Sequence, residues 1–249
     1  MSKKILIIGA SSGLGLYLTK YFNSINYDLF TIGRNKKKVT ELRKLLNKKN
    51  KSQCKNYDLN NNKQLKKFLS SLTKKKFDVV IHCIGGGLGM HDPLIRQKDL
   101  EKLFNINVGI AVQVNNQIIR KKLYNKNFKI IHIGSVAGVE TGASVGYSMV
   151  KASLISYTKT LSRSLIMKKI FVHCILAGGF EYKYNSFERL RHRNKKVYDK
   201  YIKNKLPMKK LSTPNDFLGL FKLLISDEGN ILTGSSITAD FSETNSFRI

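Results

Sequence analysis

The sequence predicts a single doubly wound α/β domain, a seven-stranded parallel sheet with helices on both faces. Three observations carry this. Seven short apolar runs recur along the 249 residues, segments of helical periodicity separate them, and no long Ser-, Gly- or Pro-rich linker interrupts the alternation. The runs are almost continuously apolar rather than alternating, so both faces of each strand are expected to be covered.

The first run, residues 5–8, stops at a glycine and gives way to an amphipathic stretch over 14–22, which reads as strand, turn and helix. The pattern repeats as a strand over 29–32 and a helix over 39–46, a short strand over 54–57 and a helix over 65–72, then a strand over 77–84 and one long helix over 100–123. It continues with a strand over 128–133, a helix over about 145–167, a strand over 170–176, a helix over 217–225 and a last strand over 236–239. The least regular stretch, about 180–212, is polar and basic.

Composition excludes several classes. The chain carries 45 Lys or Arg against 16 Asp or Glu, a formal charge of +29. Apolar residues at 42% and aromatics at 10% are too many for a disordered polycation. Nine of the cations are Arg and 36 are Lys, and 21 Asn accompany them. Lys, Asn and Ile share AT-rich codons, so the lysines are read as background and nucleic acid is not expected as a partner. No apolar run reaches the ~18 residues of a membrane span, and the run after Met1 is too short for a leader. Cys54, Cys83 and Cys174 are scattered and odd in number, so a reducing, cytoplasmic setting is expected. His82, Cys83, His173 and Cys174 lack the spacing of a zinc site, and no metal is expected.

Gly9-Ala10-Ser11-Ser12-Gly13-Leu14-Gly15 joins the first strand to the first helix. In a Rossmann fold the pyrophosphate of a dinucleotide rests there on a helix N-terminus, and glycines let the backbone approach it. Gly9, Ser11, Ser12, Gly13, Leu14 and Gly15 are the expected contacts. The second strand ends Thr31-Ile32-Gly33-Arg34-Asn35, with no acidic residue to take ribose hydroxyls. Arg34 stands where a guanidinium can fork onto a 2′-phosphate, so NADP(H) is expected rather than NAD(H). Lys36, Lys37 and Lys38 follow, and because Lys74, Lys75 and Lys76 form a similar run they are set aside as background.

Tyr147 and Lys151 are four residues apart, one turn of a helix, with Ser135 twelve residues before the tyrosine and Asn107 another 28 before that. A phenol ordinarily titrates near ~10, and a neighbouring ammonium favours its phenolate. Together with the glycine turn, these residues resemble the short-chain dehydrogenase/reductase family, in particular its 3-oxoacyl carrier-protein reductase-like and sugar-modifying members. The resemblance covers essentially the whole chain, from Ile5 to Asp240. It implies an NADP(H)-dependent oxidoreductase acting on CH–OH or C=O, with Tyr147 as general acid/base and Ser135 orienting the reacting oxygen. Lys151 would also hold the nicotinamide ribose, Tyr147 would border the cofactor, and Asn107 would anchor a water linking the lysine to solvent. It further implies that Asp58 and Leu59 contact the adenine, that Gly85 borders the nicotinamide, and that the protein is a homodimer or homotetramer. Ile8, His82-Cys83-Ile84-Gly85, Ala177-Gly178 and Asp240-Phe241-Ser242 depart from the family's usual residues, which bears on loop shape and subfamily.

In the family, the segment corresponding to 180–212 closes over substrate. Arg189, Arg191 and Arg193 fall within it in a span of five residues, and coding bias toward lysine does not explain an arginine cluster. An anionic or carrier-linked substrate is expected, against the alternative of a merely solvated basic lid. The competing function is a non-catalytic dinucleotide- or nucleic-acid-binding protein that keeps the fold.

Overall fold

Every predicted apolar run is a strand in the computed structural model, which describes residues 2–47, 51–73 and 75–247. The strands are β1 (Lys4–Ile8), β2 (Asp28–Gly33), β3 (Gln53–Asn56), β4 (Phe77–His82), β5 (Tyr124–Ile133), β6 (Ile170–Ala177) and β7 (Ser236–Ala239). They form one parallel sheet in the order β3-β2-β1-β4-β5-β6-β7. Parallel neighbours need crossovers, and helices supply them. These include α1 (Gly13–Ser24), α2 (Lys36–Leu45), α3 (Asn62–Ser71), α4 (Gln97–Phe104), α5 (Ile110–Arg120), α6 (Val145–Leu165), α7 (Ser186–Arg193), α8 (Lys195–Lys205) and α9 (Leu218–Ile225).

Successive strand side chains point to opposite faces, and both faces are dry. Ile5, Ile7, Val79 and Ile81 bury against α1, α2 and α9. Leu6, Ile8, Val80 and Ile130 bury against α3 and α5. This is why the runs read as continuously apolar. The chain winds outward from β1 to β3, then returns to β4 on the other side of β1. A crevice opens at such a reversal, beyond the carboxyl ends of the strands, and here it lies beyond the paired residues Ile8 and His82.

Two elements differ from expectation. The long helix expected over 100–123 is broken between α4 and α5 by a π-helical turn, Asn105–Gly109. The Asn107 amide donates to the Leu103 carbonyl at 2.9 Å and so competes for an acceptor of the helical ladder. The irregular stretch at 180–212 contains α7 and α8, capped by Asn185 and Asn194, whose side chains accept from Glu188 N–H and Val197 N–H. Neither helix buries a residue fully, so neither shows the apolar stripe by which a helix is read from sequence. No helix among the described residues is long and apolar enough to cross a membrane.

Candidate active site

The turn between β1 and α1 is shaped by what its glycines lack. Gly9 has φ +89° and Gly13 φ +51°, the left-handed region. A Cβ on Gly15 would lie 2.3 Å from the Gly9 carbonyl oxygen, and one on Gly9 would lie 2.8 Å from that of Cys83. The helix start is therefore pressed against the ends of β1 and β4. Gly9 and Ala10 N–H both donate to the Ile32 carbonyl, at 2.9 and 2.8 Å. Ser12 is the extended N-cap residue of α1, and its side chain makes no capping bond. Gly15→Ala is expected to destabilise the fold by about 1–3 kcal/mol, because backbone must move to admit the methyl. Urea unfolding checks this, and an unchanged midpoint would remove the steric account.

The end of β2 is equally constrained. A Cβ on Gly33 would meet Ser11 Oγ at 2.6 Å and Val39 Cγ2 at 2.7 Å, so an acidic side chain is sterically excluded there. Arg34 is exposed, and its carbonyl accepts from the Asn56 amide at 2.7 Å. Asn35 caps α2 by accepting from Lys38 N–H at 3.0 Å. Asp58 is half-buried and accepts from Asn60 N–H at 3.1 Å, Asn61 being the cap of α3. Leu59 is buried beside them.

At the other end of the crevice, Lys151 is 3% exposed and donates from Nζ to the Ile133 carbonyl at 2.9 Å. Its ammonium lies 5.6 Å from the centre of the Tyr147 ring. Gly85 and Gly86 have φ +144° and +135°, and a Cβ on Gly85 would fall 2.5 Å from Asn107 Oδ1 and 3.3 Å from Lys151 Nζ. Asn107 is held from both sides: its Oδ1 accepts from Gly86 N–H at 3.0 Å and its amide donates to the Gly86 carbonyl at 3.1 Å. The π turn thus places Asn107, Gly85 and Lys151 together. Ser135 follows β5 and starts a 3₁₀ turn, its Oγ accepting from Ala137 N–H at 3.2 Å. That turn lies against α6, where a Cβ on Gly138 would meet the Lys151 carbonyl carbon at 2.9 Å. Ser135 and Tyr147 are half-buried.

Behind this cluster runs a buried polar chain that sequence reading did not connect. His82 Nε2 lies 2.9 Å from Asn115 Oδ1, Asn115 Nδ2 lies 3.1 Å from His132 Nε2, and His132 Nδ1 lies 2.8 Å from Thr158 Oγ1. Thr158 Oγ1 donates to the Leu154 carbonyl at 2.8 Å. One direction of donation satisfies the series: His82 to Asn115, Asn115 to His132, His132 to Thr158. Both imidazoles are then neutral. Burial holds His82 down at about 4 and His132 well below its ordinary value; competition for protons with His82, the Lys151 charge and His173 add to the effect on His132. His173, bonded through Nδ1 to the Leu232 carbonyl at 3.2 Å, is likewise held by burial at about 4.

The three lid arginines are not brought to one point. Arg189 Nη1 donates to the Tyr184 carbonyl at 2.5 Å, Arg191 pairs with Glu181 at 3.2 Å, and Arg193 is exposed in the last turn of α7. This segment is fastened elsewhere. The Lys183 carbonyl accepts from Gly13 N–H at 2.9 Å. The buried Glu243 carboxylate accepts from Gly179 N–H at 2.5 Å and from the Tyr201 hydroxyl of α8. Burial, then Glu243, push the Tyr201 hydroxyl far up. Burial and Glu181 raise Tyr198 to about 12. Lys38 was indistinguishable from its neighbours in sequence, yet its Nζ sits 3.6 Å from the centre of the Tyr184 ring.

Comparison with known proteins adds the following. A family model described as short chain dehydrogenase matches residues 3–191. The chain is 26% identical over 238 residues to a 3-oxoacyl-[acyl-carrier-protein] reductase of Rickettsia felis, covering 94% of each chain. It is 29% identical over 244 residues to the protein of that name from Buchnera aphidicola, covering 95% of each. Among solved structures it resembles L-sorbose reductase from Gluconobacter frateurii, complexed with NADPH and L-sorbose, with a TM-score of 0.84 and 19% identity over 99% of this chain and 98% of that one. It also resembles YwfH, an NADPH-dependent reductase involved in bacilysin biosynthesis, with a TM-score of 0.84 and 20% identity over 99% of this chain and all of the other.

Proposed function

The chain belongs to the short chain dehydrogenase family, an oxidoreductase family, and from that premise we propose that it uses NADP(H) to interconvert a carbonyl and a secondary alcohol, with Tyr147 as general acid/base. The observation that carries the reading is the buried Lys151 ammonium, tied to the Ile133 carbonyl and set beside the Tyr147 ring. A dinucleotide fits the residues present, since the glycine turn keeps clear the space that Cβ atoms would fill and Gly33 replaces an acid at the adenosine end. Gly9, Ser11, Ser12, Gly13, Leu14 and Gly15 would hold its phosphates, Arg34 its 2′-phosphate, Asp58 and Leu59 its adenine, and Gly85 and Lys151 its nicotinamide half. When bound, the nicotinamide supplies or accepts the hydride.

The protein's own work is then proton transfer and placement. In reduction Tyr147 Oη gives its proton to the substrate's carbonyl oxygen, and in oxidation it takes one from the alcohol. Ser135 Oγ donates to the same oxygen and fixes its position. The Lys151 charge stabilises the negative charge that grows on Oη as the proton leaves. Asn107, locked to Gly86, holds the π turn that keeps Gly85 against Lys151.

Similarity to the carrier-protein reductases and the basic lid support an anionic or carrier-linked carbonyl as substrate. The decisive test titrates nicotinamide fluorescence with NADPH and NADH, then follows NADPH oxidation with 3-oxoacyl thioesters, keto-sugars and uncharged ketones. NADPH is expected to bind at least about tenfold tighter than NADH, and a 3-oxoacyl thioester to turn over fastest. Equal affinity would remove the cofactor assignment, and turnover confined to uncharged ketones would remove the substrate class.

A further inference from the structure

Lys38 differs from its neighbours in what it touches. Lys36 and Lys37 are exposed, whereas Lys38 is half-buried with its Nζ over the face of Tyr184. Tyr184 belongs to the lid and adopts the left-handed backbone, φ +69°. Two bonds from α7 hold it there: its N–H donates to the Glu188 carboxylate and its carbonyl accepts from Arg189 Nη1, each at 2.5 Å. One tyrosine therefore joins a cation of α2, on its ring, to a cation of α7, on its carbonyl. The bond from Gly13 N–H to the Lys183 carbonyl sets this assembly beside the glycine turn. A small cavity there is lined by Ser11, Lys20, Lys38, Glu41 and Tyr184.

Lys38 on the ring and Arg189 on the carbonyl of the same residue are close enough for their charges to act on each other. Burial lowers the proton affinity of Lys38, the Arg189 charge lowers it further, and Glu188 and Glu41 oppose both. An aromatic face attracts an ammonium without neutralising it. A phosphate monoester would satisfy donors from both helices and carries enough charge to compete with the flanking carboxylates. The place selects which phosphate: Ser11 lies against Gly33 at the end of β2, where the adenosine ribose of a dinucleotide ends.

We propose that Lys38 and Arg189, bridged by Tyr184, complete with Arg34 the binding site for the 2′-phosphate of NADP(H). This rests on the NADP(H) reading above. The lid and recognition of the cofactor phosphate are then coupled, through one lysine of a run that reads as coding background and one arginine of a cluster that does not.

The test measures dissociation constants of NADPH and NADH on the full chain and its Lys38→Met, Arg189→Gln and Arg189→Lys variants, with 2′-AMP and 5′-AMP as competitors. The ratio of the NADH to the NADPH constant is expected to fall about tenfold in Lys38→Met and in Arg189→Gln, and to recover in part in Arg189→Lys. 2′-AMP should displace NADPH better than 5′-AMP from the wild type, with that advantage reduced in the first two variants. Variants that keep the wild-type ratio would overturn the proposal, leaving Arg34 to act without the lid. So would equal loss toward both cofactors, the mark of a structural role, or tighter NADPH binding, the mark of a strap that competes with cofactor. A wild type with no preference for NADPH would instead overturn the NADP(H) reading itself, so the two failures are distinguishable.

Discussion

Tyr147→Phe is expected to lower turnover by about 10²–10⁴-fold while the NADPH dissociation constant changes by no more than a few-fold. The substitution removes one oxygen and keeps the ring that packs near Gly87, where a Cβ would lie 3.8 Å from Tyr147 Cγ. The fold and the cofactor cradle should survive, leaving only the loss of the proton donor. Steady-state turnover and fluorescence titration on the same preparation separate the two effects. If turnover persists near wild type, the phenol is not the acid/base and the proposed chemistry is wrong.

The second large effect is on stability toward acid. His82 and His173 are held neutral in the fold, each at about 4 against an ordinary 6.5, and burial lowers His132 as well. Between pH 6.5 and about 4 the unfolded chain therefore binds more protons than the folded one, so stability rises with pH through this window and is lost as pH falls. Holding one such imidazole at about 4 against 6.5 costs about 3 kcal/mol of stability once the pH is below both values, about 2 kcal/mol of it between pH 7 and pH 5. His82 and His173 together predict a loss of about 4 kcal/mol over that range, and His132 increases it. The structural cause is visible in the nitrogens His82 Nδ1 and His173 Nε2, which are buried with no partner. As lone pairs they cost little, but protonation would create a buried donor without an acceptor. Urea unfolding at pH 7 and pH 5 measures the difference, and a flat profile would show that these imidazoles find protons or partners in the fold.

The strands and the glycine turn were legible because each leaves a local mark. A strand covered on both faces must be apolar at every position, as residues 5–8 are, and a turn that must bring backbone against backbone must be glycine, as Gly9 and Gly15 are. Tyr147 and Lys151 were legible as a pair because a helix places i and i+4 on one face. The π turn was not legible, because its cause is a side-chain bond between Asn107 and Leu103 that the surrounding helical periodicity conceals. The lid helices were not legible because they are stabilised by caps and by anchors distant in sequence, such as Glu243 on Tyr201, and not by an apolar stripe.

The fold class, the glycine turn and the placing of Tyr147 and Lys151 on one helix face follow from periodicity and short-range stereochemistry, and so were written in the sequence. Only the tertiary structure decided which lysines of a lysine-rich chain have partners. Lys151 is buried on a carbonyl of β5 and Lys38 lies on the ring of Tyr184, while Lys36 and Lys37 remain exposed. The physical reason is that a cation's role depends on its desolvation and on the groups that face it, and both are set by contacts between elements far apart along the chain.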